Sequence, residues 1–430
     1  MGSPRADVAL LYRRAGFGAG PSELGAAQAA GFTATLDHLV AGLSEPDDRH
    51  PAVPHLSSYD LISRNRGGDL YGQSVDLASW WVEKMATTTT PMREKLTLLL
   101  HGQFPTANSK VYAPIFMYQQ NETFRTLGPG NFNTLTQALA KDPAMMIWLD
   151  TASSQRQSPN ENFARELMER FTMGVGNYTQ QDVRQAARAF TGWTITEHSG
   201  VFVQDDSAHD FGEKVVLGHR GDLTGEDVID IVTHTPASAR WVTARMWSWL
   251  AYPISPRDPV VAELAATYAT DLDMTRLVRS ILAHPYFLSP ASREGLVKQP
   301  IEWVAGALRT FRLSSASFKK MGGANYLVYA LSNLGQVPFD PPSVGGWGQN
   351  EYWLSTATSV AQLDFAQSLV QNADLSPIDD VGAGSRVDAL ADMLGIDGWT
   401  PQSRAALTRV RHDIPSLAAL ALTAPEYVVN

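Results

Sequence analysis

Along most of the chain apolar residues recur at three- and four-residue spacing, the period of an amphipathic helix. The spacing predicts helices over 76–86, 92–100, 132–140, 161–171, 180–190, 237–250, 260–268, 274–283, 301–311 and 360–369. Pro, Gly, Asn, Asp or Thr punctuates their ends. "PSELGAAQAAG" adds a helix that starts at Pro21 and Ser22 and stops at Gly31. One stretch breaks the period: "TITEHSGVFVQDDSAHDFGEKVVL" alternates around two polar turns, as two or three short strands would. "SEPDDRHPAVPH" and "GQVPFDPPSVGGWGQN" read as Pro/Gly-rich loops. The expected fold is mainly α, a large multi-helix globular domain with a small β-hairpin-like excursion around residues 194–217. No repeat, heptad run or low-complexity tract divides it. One domain over 1–430 is expected, with lobes at 1–150 (helical), 151–255 (helices plus the β excursion) and 256–430 (helical, with a Trp-rich loop).

The composition narrows the function classes. With 44% hydrophobic and 18% charged residues the chain is that of a soluble globular protein. A formal charge of -10 argues against nucleic-acid binding, which needs a basic footprint. The absence of cysteine removes disulfides, thiolate zinc sites and cysteine nucleophiles. No apolar run reaches the roughly 20 residues that span a bilayer. Arg13-Arg14 suggests a twin-arginine export signal. The following "AGFGAGPSELG" lacks the apolar segment such a signal requires, so no signal peptide is expected here. The chain as given is expected to be cytoplasmic, or exported if a native leader preceded "MGSP".

The candidate chemistry centres on "PNENFARELMERFTMGVGNYTQQDVRQAARAFTGW". At about 100° per residue Glu166 and Glu169 share a helix face, with Glu161 on another sector. Carboxylates at this spacing can hold a hard or borderline divalent metal if a histidine joins them. Pairing with arginine explains them equally well, since Glu161–Arg165 and Glu166–Arg170 stand at i,i+4. Gly174 and Gly176 suit a helix stop, and Thr179 with Asp182 a capping box, rather than a phosphate loop. His101 closes an apolar helix, and His209-Asp210 sits on a loop of the β excursion. If a metal is bound, the expected ligands are His101, Glu161, Glu166, Glu169, His209 and Asp210. His101, Glu166 and Glu169 would be catalytic. Trp193, Trp347 and Trp353 are the candidate substrate-binding rings, because flat apolar faces stack on sugars or peptides. A serine-hydrolase elbow and a dinucleotide fingerprint are both missing.

Several segments, in order, resemble the domain-of-unknown-function 1800 family of bacterial proteins. They include "LLYRRAGFGAGPSEL", "PMREKLTLLLHGQFPTANSKV", "DPAMMIWLD", the glutamate-rich stretch above, "HDFGEKVVLG", "LVKQPIEWVAGALR" and "PPSVGGWGQNEYWLSTAT". The resemblance implies a large, mostly helical unit, often exported and often encoded beside a sulfatase-like companion. It implies no established activity. The chain departs from the family pattern at Gln103, where a second histidine is common, and at Gly345 and Ser355, where lysine and asparagine are usual. Two functions follow as expectations. One is a metal-assisted enzyme, hydrolytic or oxidative, using helix carboxylates and histidine. The alternative is a non-catalytic binding or assembly protein that recognises a glycan or protein partner through its Trp-bearing loops.

Overall fold

The computed structural model describes residues 3–47, 51–313 and 315–429, apart from the side chains of residues 315, 316 and 318. Residues 48–50 of the first Pro-rich loop therefore lie outside the described residues. The protein is mainly α, 61% helical, with two small antiparallel hairpins. No described helix is long and apolar enough to cross a membrane. β1 (Trp193–Ile195) pairs with β2 (Phe202–Gln204), and β3 (Lys214–Val216) with β4 (His219–Gly221). The β excursion thus holds four strands rather than two or three, and its last strand falls beyond residue 217.

Apolar side chains gather in two buried clusters. The first draws on the helices Pro4–Arg14, Phe132–Ala140, Gln180–Ala189, Pro236–Leu250 and Met274–Ala283. The second draws on Leu70–Thr87, Pro300–Thr310, Gly323–Leu334, Thr356–Val370 and Ile414–Leu422. The helix Pro91–Gln103 lies between them. Its Met92, Leu96, Leu99 and Leu100 face the first cluster and Leu98 the second. A helix covered on all sides must satisfy whatever polar groups it carries, because an unpaired buried polar group costs free energy.

This central helix buries Glu94, Lys95, His101 and Gln103. Glu94 accepts from Arg125 Nε at 2.6 Å and Nη2 at 2.9 Å, and from Trp81 Nε1 at 3.0 Å. Lys84 adds a second cation at 4.0 Å. Lys95 pairs with Glu302 on the next buried helix. Arg14, which the sequence offers as half of an export signal, is a buried structural residue. It donates to the carbonyls of Leu250 and Ala251 at 3.3 and 2.6 Å, closing the end of the Pro236–Leu250 helix.

Local signals behave as the sequence predicts. Gly31, Gly174 and Gly176 have φ of 86°, 77° and 89°. At Gly174 a Cβ would meet the Trp241 ring at 2.5 Å. Thr179 and Asp182 form the reciprocal capping box at the start of Gln180–Ala189. One expectation changes. The segment 161–171 is α-helical only over Glu161–Glu166, and Leu167–Thr172 winds as a π-helix. The wider turn alters the angular relation of Glu169 to Glu166, a shift that apolar periodicity does not report.

Asp142 carries a pH dependence of the fold. It caps the helix Pro143–Trp148, accepting from Met145 N at 3.0 Å and Gln120 Nε2 at 2.7 Å. Burial outweighs these bonds and raises its carboxyl from 3.8 to about 7. The folded protein therefore holds a proton that the unfolded chain releases between those values. Stability from this group is present at low pH and falls as pH rises through about 7. Asp142→Asn, which keeps the capping oxygen, is expected to unfold at a higher denaturant concentration than wild type at pH 8. The advantage should shrink toward pH 4; equal pH slopes would sink the assignment.

Candidate functional site

The three glutamates are held by arginine. Glu161 accepts from Arg165 and Gln180, both at 2.8 Å, with Arg184 at 3.7 Å. Glu166 and Glu169 flank Arg170, each at 3.7 Å from its Nε. Glu161 thus occupies its own sector, as the sequence suggests. Glu169 also accepts from the Tyr178 hydroxyl at 2.7 Å, and burial, helped by this bond, raises the phenol. Glu166 Oε2 is buried without a hydrogen bond, and desolvation raises its carboxyl.

The two histidines stand apart from these carboxylates. His101 is 1% exposed and ringed by Trp81, Phe124, Phe339 and Trp347, with centroids 5.3–6.1 Å away. Burial lowers its pKa to about 3, and its Nε2 has no hydrogen-bond partner. His209 donates from Nδ1 to the Thr191 carbonyl at 2.7 Å and packs edge-on to Phe211. Asp210 takes Arg188 in a two-point pair at 2.7 and 3.1 Å, which pulls its carboxyl below the usual range. Among the described residues no three His, Asp or Glu side chains are placed to hold a metal ion. The residues expected as ligands are engaged separately: arginine bonds Glu161 and Asp210, Arg170 stands 3.7 Å from Glu166 and Glu169, and aromatic rings enclose His101.

The tryptophans are likewise mostly spent on packing. Trp193 is 1% exposed between Phe190 and Phe202, and Trp353 is 3% exposed. Trp347 is half-buried with its ring edge-on to His101 at 5.3 Å. Trp303 is core, while Trp148 and Trp241 are half-buried.

The structure brings together a different polar seam. Gln103 donates to the carbonyls of Arg170 and Phe171, at 3.2 and 2.7 Å, at the end of the π-helix. Its own oxygen accepts from Arg245 Nε at 3.2 Å. Across the seam Gln299 caps Pro300–Thr310 and gives its side-chain oxygen to Gln336 at 2.7 Å. The loop carrying Trp347 and Gln349 closes over the top. Its Gly346 (φ 76°) approaches so closely that a Cβ there would lie 3.1 Å from the Gly102 carbonyl oxygen. Beneath, Lys298 is buried with its ammonium 3.4 Å from the Tyr427 ring centre, and burial lowers its pKa well below the usual lysine value.

A larger opening lies on the other side of Phe339. A groove of about 500 Å³ runs between the helices Leu70–Thr87 and Gly323–Leu334, the short helix Asn108–Val111 with Tyr112 at its end, and the loop at 337–340. Tyr71, Tyr112 and Tyr329 stand on it, 72%, 63% and 65% exposed. Tyr112 and Phe339 both adopt left-handed backbone, at φ 52° and 65°. That conformation is uncommon for bulky side chains and tends to occur at binding sites. The two segments are tied by Asn108 N donating to the Phe339 carbonyl at 2.8 Å and Ser109 N to Asp340 at 3.2 Å. Sequence reading misses this groove because its rings come from three separate segments.

The fold and its seam define a helical protein with two buried clusters and a central helix that buries polar groups between them. A family model described as "Protein of unknown function (DUF1800)" matches residues 10–429, and the chain belongs to that family. No curated protein and no solved structure matches it. The segments that carry the family resemblance meet in space at the seam: Lys95, His101 and Gln103 from one, Gln299 and Glu302 from another, Trp347 and Gln349 from a third.

Proposed function

We propose that the protein is a binding protein whose ligand is a neutral glycan, held in the tyrosine groove rather than through the tryptophans. The observation that supports this reading most is the pair of left-handed aromatic residues, Tyr112 and Phe339, which line one opening on segments joined by the Asn108–Phe339 backbone bond. A groove of about 500 Å³ suits a small oligosaccharide, within the usual range of ligand pockets. Tyrosine rings offer flat faces to sugar C–H groups, and their hydroxyls bond at the rim. Asn325, Ser332 and Asp340 line the same groove and suit ring hydroxyls. A peptide fits less well, since the walls are helices and short loops with no open strand edge to pair an extended backbone. The metal-assisted reading has less support, because its proposed ligands are engaged separately.

Isothermal titration calorimetry with a panel of neutral β-1,4- and α-1,4-linked tetrasaccharides tests the proposal. Wild type is expected to bind at least one. Tyr112→Ala and Tyr329→Ala should each weaken that binding about five- to tenfold, as the loss of roughly 1 kcal/mol of ring contact would. The proposal is overturned if no member of the panel binds, or if removing both rings leaves affinity unchanged.

A further inference from the structure

We infer that the cleft at Arg245 is a binding site for a single monatomic anion, of the halide class. The cleft opens between Gly102, Arg245, Trp249, Gln299, Trp347 and Gln349. Three features of its construction point to an anion.

The first is an uncompensated cation. Arg245 has no carboxylate partner among the described residues; its one hydrogen bond, from Nε, goes to the neutral oxygen of Gln103. Its charged neighbour is another cation, Arg170, and that one is already flanked by Glu166 and Glu169. Burial is the larger cause that brings the Arg245 guanidinium down to about 10, with Arg170 second. It still carries its charge at neutral pH, and a half-buried charge in a cleft gains from a counter-charge.

The second is a fixed geometry. Gln103 spends its amide N–H groups on two carbonyls, so its oxygen can only face Arg245. The guanidinium also stacks on Trp249, 4.4 Å from the ring centre. Held on Nε and on one face, Arg245 has the donors of its two terminal nitrogens left. Gln299 is oriented the same way: its oxygen accepts from Gln336, which leaves its side-chain N–H groups as donors on the cleft wall.

The third is size. The cleft has room of about 10 Å³, enough for roughly one water-sized guest. So little room favours a monatomic anion or a water over sulfate, phosphate or a carboxylate. Charge favours the anion, because water brings no counter-charge to the guanidinium. The site also tethers the Trp347 loop to the central helix, so its occupation should be read in stability.

Thermal unfolding in sodium chloride, sodium bromide and sodium gluconate at equal ionic strength is the test. Wild type is expected to unfold at a higher temperature in the halides, with an increment that saturates with concentration. Arg245→Gln should abolish that increment, and Arg245→Lys should shift its midpoint to at least tenfold higher halide. Bromide-soaked crystals of wild type give a second readout that does not depend on a variant folding: an anomalous peak within hydrogen-bond distance of Arg245. Identical unfolding in halide and gluconate, a halide increment that survives in Arg245→Gln, or bromide peaks with none at Arg245 would each overturn the inference.

Discussion

Glu94→Ala is expected to lower folding stability by about 3–5 kcal/mol, the usual cost of stripping one partner from a buried ion pair. Glu94 is 1% exposed and is the common acceptor for Arg125, Trp81 and, at longer range, Lys84. Its removal leaves the Arg125 guanidinium, 5% exposed, with Asn121 and the outer Glu122 as its remaining acceptors. Three helices lose their shared polar joint: Leu70–Thr87, Pro91–Gln103 and Pro114–Leu127. Urea unfolding at pH 7 reads the effect as a lower midpoint at unchanged slope. A paired variant separates the cause. If the cost is mainly the stranded charge, Glu94→Gln with Arg125→Met should recover more than half of it. A double variant as unstable as Glu94→Ala would place the cost in lost packing instead.

The second large effect is an acid limb set by His101. Its aromatic surroundings lower its pKa from 6.5 to about 3. Below pH 6.5 the unfolded chain takes up a proton that the folded protein refuses, so this group's contribution is present above pH 6.5 and lost as pH falls toward 3. Each pH unit within that window is worth about 1.4 kcal/mol, so wild type should lose about 3 kcal/mol from this residue by pH 4. His101→Phe, which keeps a ring among rings, removes the titration. The stability difference between wild type and variant should move in the variant's favour by that amount between pH 7 and pH 4. Parallel pH profiles for the two proteins would refute the burial argument. The direction is opposite to that of Asp142, which stabilises most at low pH, so the two variants together test the sign as well as the size.

Much of the fold is legible in the sequence because it depends on local rules. The 3.6-residue period of apolar positions locates the long helices, and the alternation after Trp193 locates the hairpins. Gly31, Gly174 and Gly176, with the Thr179–Asp182 box, mark helix ends, since each acts on backbone groups within a few residues. The π-turn at Leu167–Thr172 is hidden, because the same apolar stripe serves an α- or a π-helix and only packing selects between them. Helices such as Pro114–Leu127 and Gly323–Leu334 escape the pattern where polar residues interrupt the period.

The candidate chemistry is less legible, for a related reason. A sequence shows that Glu166 can pair with Arg170 or hold a metal; which one holds is decided by what other segments bring alongside. His101 does stand at the end of an apolar helix, yet its neighbours Trp81, Phe339 and Trp347 are distant along the chain. Trp193 and Trp353 look available in the sequence and are enclosed in the fold. By itself the sequence determined the helical class, the family, most helix boundaries and the arginine partner of Glu161, because these rest on periodicity and on contacts of a turn or less. Only the tertiary structure decided that Gln103 clamps Arg245, that His101 is neutral, and that three tyrosines share one groove. Those outcomes depend on desolvation and on long-range juxtaposition, which no local spacing encodes.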